Sequence, residues 1–545
     1  MKKAISVILT MLMLLTSVVF TTGCSLDEGI DKNKTQLYVS VSACGVGTTF
    51  LDSLKEKYEK ENPNVQVMAI KDGAADGDET VAEIENGGYD VYMTNNVILN
   101  NYVNVHQKSS EYFADITDIV TEGGETSIAS RMLPSVKNYY NVGTETEPKY
   151  FALPWFTSYF GTVYDVDLFE SRHLYSTDSK SVLDYVGVDG VNNTDDDDWG
   201  PDGQQGTFDD GLPGTYEDLK QLWQEMKAQG ITPYSWTSFP GYVNSWLTSV
   251  WMSYEGDNFE IMKDFSGTYL SSNAEPLVID NSNGYLCAFQ NGKFAALQVA
   301  EDIVRGGYYL KKSLNTSQDN ILAQTDYLKS IESSSPIAFI CEGTYWENEA
   351  KSVFKEMEEN IDSKYAYGTR RFGLMPFPRF KGTNGIPNQL NTRATFSNGG
   401  VSADQALLVV NKFSENLDLA KDFVKFAYSD AMNADFNKEA GVSRPFYYDL
   451  DETQLSELTY FQQQIYAISQ NKDVKLVSCL NRSEYSLREP DLIDNISRFI
   501  GKTSSGTMTN PFLEYQNDES LTAVKYMESV RDLVKKEIWE DAFVK

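Results

Sequence analysis

LYVSVSACGVGTTFLDSLKEKYEKENPNVQV, residues 37–67, is where the fold is decided. Residues 37–43 read as a strand, Gly45 and Gly47 open a loop, and Phe50, Leu51, Leu54 and Tyr58 recur at helical spacing until Pro63 stops the helix. Residues 65–70 read as a second strand. Outward from there, residues 80–85 read as a helix closed by Gly87 and Gly88, and residues 89–94 as a third strand. Strands alternating with helices predict an α/β fold with a mostly parallel sheet. In such sheets ligands gather at loops beyond the strand carboxyl ends, here residues 43–48 and 95–101.

Further along, FALPWFTSYFGTVYDVDLFE (151–170) is apolar and punctuated by Pro154 and Gly161, as expected of a passage from one lobe into another. A second α/β pattern follows. It comprises the amphipathic TYEDLKQLWQEMKAQG, the turn ITPYSW, and SPIAFICEGTYW leading into a helix over about 347–357. ALLVVNKFSENLDLAKDFVKFAYS adds one apolar strand and one helix, and residues 441–545 are mainly helical in pattern.

The leader MKKAISVILTMLMLLTSVVFTTGCS couples two lysines to a short apolar run and then a cysteine after small residues. It reads as a signal peptide, 1–23, with Cys24 left for lipidation and 24–36 as a polar tether. The body is then extracytoplasmic and held at the outer face of the membrane by its lipid. Losing Lys2 and Lys3 takes the formal charge from −33 to −35. A field of that sign excludes nucleic acid as a partner and repels an anionic membrane surface. Cys44, Cys287, Cys341 and Cys479 are too widely spaced for a zinc or redox pair and are read as buried thiols. His106 and His173, the only histidines, stand in no ligand or triad spacing.

The leader's TTGC, the opening 37–67, the crossover, the TYEDLKQLWQEMKAQGITPYSW helix and turn, and AFICEGTYW together resemble, in their order, the extracellular solute-binding proteins of carbohydrate ABC importers, the maltose-binding-protein-like family. The resemblance covers about residues 37–444. It implies a two-lobe periplasmic-binding-protein-like fold with a crossover hinge and a mainly helical C-terminal region. Lobe 1 would take 37–160 and 404–445, and lobe 2 161–403 and 446–545. It also implies a monomer that hands a carbohydrate, of oligosaccharide size, to a membrane permease without turnover and without a required cofactor.

A sugar has an apolar C–H face and a hydroxyl rim, so its sites pair aromatic platforms with amide or carboxylate groups. Trp155, Trp236 and Tyr234 occupy cleft-like positions. In GTYW the resemblance places Trp346 at the cleft wall. Each of these rings also suits a core. Asn95 and Asn96 after the third strand, Glu342 beside GTYW, and Arg444 at the rim are the polar candidates, the asparagine pair being equally ordinary turn chemistry. Residues 184–211 form an acidic insertion with nine aspartates and no lysine or arginine. Asp196, Asp198, Asp202 and Asp209 make a partial match to a calcium loop, so a structural calcium stands beside a solvated surface loop as the alternative. A lipid-anchored glycoside hydrolase, which needs two paired carboxylates, and a peptide-binding protein remain as other functions.

Overall fold

The computed structural model describes residues 29–43, 45–71, 78–94, 109–175, 191, 194, 197, 199–201, 203–271, 275–382, 385–397, 406–477, 485–499 and 510–544. In chain order the strands are β1 (Thr35–Val41), β2 (Val65–Lys71), β3 (Val91–Thr94), β4 (Ala152–Pro154), β5 (Phe160–Asp165), β6 (Thr232–Ser235), a hairpin of β7 (Gly267–Tyr269) and β8 (Leu277–Ile279), β9 (Ile337–Gly343), β10 (Phe372–Met375), β11 (Thr395–Ser397), β12 (Leu407–Val410) and β13 (Lys475–Val477). They form two main sheets. The first runs β2-β1-β3-β12-β4 and the second β13-β11-β5-β9-β6, with β10 also on β5.

In the first sheet β1 pairs parallel with β2 and β3, as the βαβ spacing dictates. β12 comes from far down the chain and lies antiparallel between β3 and β4. Its uninterrupted LLVV, buried throughout, suits a central strand covered on both faces. The helix Thr49–Glu61 turns Phe50, Leu51, Leu54 and Tyr58 inward. Tyr58 meets Phe423 edge-on at 5.1 Å, and its hydroxyl donates to Asp422 Oδ2 at 2.8 Å, tying this helix to Leu417–Ala427.

The second lobe is built around the helix Pro240–Glu255, which buries almost every residue from Val243 onward. A helix apolar on all sides belongs inside a large domain. It crosses Asn291–Gly306 closely at Gly292, where a Cβ would stand 2.7 Å from the Trp251 carbonyl oxygen. Gly292→Ala is therefore expected to cost about 1–3 kcal/mol by overpacking, read from denaturant unfolding. The helix Tyr216–Ala228 starts on a capping box in which Thr215 and Asp218 serve each other's backbone amides. Helical pattern past residue 460 covers the second sheet: Phe461, Ile465 and Ile468 pack in one of its cores, and Trp539 stacks on Tyr485.

Two details differ from the sequence reading. The helix expected over 347–357 is split at Ala350 into Trp346–Glu349 and Lys351–Asn360. Phe446, Tyr448, Leu450 and Leu458 pack in the first lobe's core, so the chain stays with that lobe beyond residue 445. Among the described residues no helix is long and apolar enough to cross a membrane.

Burial moves several ionisable groups. The Glu255 and Glu347 carboxyls are pushed up to about 7 by loss of hydration, and the Lys293 amine is pushed down to about 7 for the same reason. The two carboxyls have folded values above their unfolded 4.5, so the stability linked to them is complete below 4.5 and is lost as pH rises through about 7. Lys293 acts only above that window, restoring stability as pH climbs from about 7 towards 10.5. The melting temperature is expected to fall between about pH 5 and about pH 7, and a rise over that interval would contradict this account.

Candidate functional site

The chain passes between the sheets through residues 155–159, which join β4 to β5. Thr157 N–H donates to the Ser443 carbonyl at 3.0 Å on the first-lobe side. Tyr159 and Thr344 exchange bonds on the second, Thr344 N–H donating to Tyr159 O at 2.9 Å and Tyr159 N–H to Thr344 Oγ1 at 3.2 Å. Beside this passage, loops from the carboxyl ends of β1 and β9 meet. Gly45, at φ +77°, lies so close to Tyr345 that a Cβ there would stand 2.8 Å from Cδ2 of the ring and 3.0 Å from Glu349 Oε1. Asn348 Nδ2 reaches the Gly45 carbonyl at 3.4 Å. The seam between the lobes is thus made by residues following the strands that topology singles out.

An aromatic row runs inward from the surface to this seam, where Phe160 and Tyr345 are buried against the first lobe's core. Phe239 is 62% exposed. Its ring meets Tyr242 at 6.4 Å, Tyr242 meets Phe160 at 5.5 Å, and Phe160 meets Tyr345 at 6.0 Å. Polar groups stand beside the row. Gln324 Nε2 donates to Glu342 Oε1 at 3.3 Å and to Glu349 Oε2 at 2.9 Å, and Asn320 Nδ2 donates to Glu349 Oε2 at 3.2 Å. Burial, reinforced by the charge of Glu349, holds the Glu342 carboxyl well above its ordinary range, and burial raises Glu349 as well.

Of the residues singled out from sequence, Glu342 lies at this seam. The large rings do not. Trp346 is fully buried among Phe372, Tyr327, Phe461 and Phe354, with centroids 4.9–6.2 Å away, so its faces are occupied by the second lobe's core. Trp236 is packed between Phe512 at 4.5 Å and Tyr309 at 5.5 Å, and Tyr234 among Trp223, Trp246 and Phe339. Trp155 packs on Phe50 and Phe156 in the first core, its indole N–H donating to the Thr94 carbonyl at 3.2 Å. Arg444 is buried rather than at a rim. Its guanidinium donates to the Trp155 and Ala427 carbonyls at 3.0 and 3.2 Å and lies over Phe436 and Tyr428. Asn95, Asn96 and Cys24 lie outside the described residues, as do Asp196, Asp198 and Asp202. Asp209 is buried and accepts from Thr207 Oγ1 at 2.8 Å. Among the described residues no group of three metal-ligating side chains comes together.

A groove of about 630 Å³ opens elsewhere between the lobes, at the β13 edge, lined by Asn138, Tyr139, Arg393, Tyr447 and Lys472. Arg393 is committed to the backbone carbonyls of residues 472–474 and Lys475 to Asp257 and Glu260, so these two basic groups serve the fold.

Comparison with known proteins bears on what such a seam is for. No curated protein matches the sequence. The apo form of RafE from Streptococcus pneumoniae superposes with a TM-score of 0.54 at 12% identity, over 93% of this chain and 98% of that one. The GacH receptor of Streptomyces glaucescens, solved unliganded and with acarbose, gives 0.50 at 14% identity over 92% and 98%. A chitin oligosaccharide binding protein gives 0.51 at 14% over 91% and 95%. At these identities the likeness speaks for the fold. The sequence profile of the family described as bacterial extracellular solute-binding protein matches residues 45–434, most of the chain, and the chain belongs to that family.

Proposed function

We propose that the protein captures a carbohydrate at the seam between its lobes and delivers it to the permease of an ABC importer. The observation that carries this reading is exposed Phe239 with half-buried Tyr242 against it and amide and carboxylate groups alongside, the pairing that a sugar's two chemistries require. RafE, solved with raffinose, and GacH, solved with acarbose, share the fold and lend support. Exposed Phe239, with half-buried Tyr242 against it, takes the platform role that the buried tryptophans cannot. Ligand contacts from both lobes favour the closed arrangement, with residues 155–159 as one of the flexing passages.

The protein binds without turnover and acts as a monomer held to the outer membrane face by lipidated Cys24. The support for the anchor is the leader itself, and Cys24→Ala is expected to release the protein from cells into the medium.

Thermal-shift measurements with sugars and peptides, run beside a reducing-end assay, test the function. Stabilisation by a sugar without product is expected. Stabilisation by peptides alone, or steady release of reducing ends, would replace this reading with peptide capture or glycoside hydrolysis. Phe239→Ala is expected to weaken sugar affinity about fivefold, since stacking of this kind is worth ~1 kcal/mol, with little change in melting temperature because the ring is exposed.

A further inference from the structure

The carboxylates of Glu342 and Glu349 are bound to one amide nitrogen, that of Gln324. Glu342 and Gln324 are both fully buried. Among the described residues no lysine or arginine pairs with either acid. The Gln324 side chain, having given its N–H groups to the acids, leaves its own carbonyl Oε1 buried without a hydrogen-bond partner. Turning that amide over would set its oxygen against two carboxylates. The seam therefore collects acceptors from three side chains and lacks both a donor for the orphaned carbonyl and positive charge to balance the acids. A buried polar atom left in this state, beside like charges, costs stability unless something fills the gap. Glu349 Oε1 faces the Gly45 backbone of the other lobe, so a group bound here is enclosed when the lobes meet.

We infer that the carbohydrate this protein captures carries a protonated amine, as an amino sugar does, seated between Glu342, Glu349 and the Gln324 carbonyl. The inference rests on the carbohydrate reading above. An ammonium group offers three N–H donors and one positive charge, matching the three acceptors and their excess of negative charge. A hydroxyl supplies a donor but no charge, and an N-acetyl group supplies one N–H with a bulky neutral tail. Burial raises the affinity of both carboxyls for protons, and for Glu342 the neighbouring charge of Glu349 adds to it.

Three tetrasaccharides that differ only at the second carbon, built of glucosamine, N-acetylglucosamine or glucose, test this by titration calorimetry at about pH 6, where the amine is protonated. The glucosamine form is expected to bind at least about tenfold more tightly than either neutral form, the scale of one desolvated charge pair. In Glu349→Gln, and in Glu342→Gln should the first fold poorly, that ratio is expected to drop to about two or less. Equal affinity for the glucosamine and glucose forms in the wild-type protein, or a preference that survives both substitutions, overturns the amine assignment and leaves sugar capture standing. Binding of none of the three overturns the assignment too, and stabilisation by peptides in its place takes the carbohydrate reading with it.

Discussion

Gly45→Val is expected to lose at least about thirtyfold in ligand affinity and to keep the protein extended in the presence of ligand. Gly45 occupies the left-handed region, which a β-branched residue enters only with strain of order 1–3 kcal/mol. Its new side chain would also be driven into the Tyr345 ring and the Glu349 carboxylate, which already stand within about 3 Å of where a Cβ would be. Both penalties fall on the arrangement in which the lobes meet. An open form, with the loop of residues 45–48 free to relax, escapes the collision. Together they shift the closing equilibrium by about 2–4 kcal/mol, roughly thirty- to a thousandfold in affinity. Small-angle scattering with and without ligand reads the shape change directly. Compaction equal to that of the unsubstituted protein, at unchanged affinity, would show that the seam does not close through this contact.

Arg444→Met is expected to lower stability by about 3 kcal/mol or more. The guanidinium has no carboxylate partner in its bonds; burial lowers its proton affinity, and it is kept in place by the Trp155 and Ala427 carbonyls and by the faces of Phe436 and Tyr428 at 4.1 and 4.6 Å. Methionine fills much of the volume but leaves two buried carbonyls without donors, at about 1–3 kcal/mol each. Lysine is not expected to rescue the loss, because its single ammonium cannot span both carbonyls as the planar fork does. Denaturant unfolding measures the effect. A change below about 1 kcal/mol would mean that the passage at Trp155 is held mainly by other groups, such as the Tyr428 hydroxyl on Pro154 O.

The order of elements was legible in the chain because it rests on patterns with clear periods. Phe50, Leu51, Leu54 and Tyr58 mark one helix face, and LLVV can only be a covered strand. The site was less legible, and GTYW shows why. Trp346, Ala350, Val353 and Met357 follow helical spacing and all point into the core, so the tryptophan belongs to an apolar stripe. Tyr345, one residue earlier, points out of that stripe and towards Gly45. Size drew the eye to Trp346, where periodicity places that ring in the core. Arg444 misled for a related reason, since a charged residue after a turn suggests solvent, and the carbonyls and rings that bury it come from segments remote in sequence. Glu349, Gln324 and Asn320 carry no motif at all. They converge because the helix Asn320–Lys329 packs beside β9, a tertiary fact that no local pattern encodes.

The place of β12 has a consequence for how the polypeptide matures. Its neighbours β3 and β4 are synthesised early, yet the strand that must sit between them follows only after the whole of the second sheet except β13 has been made, roughly three hundred residues later. A growing chain therefore carries an N-terminal half-sheet with two raw edges through most of its synthesis, while the intervening lobe can assemble most of its own sheet first. Such edges recruit stray strands. Chains truncated before Leu407 should clump, and during biogenesis a holding chaperone would find its target in residues 35–154 rather than in the larger lobe that follows.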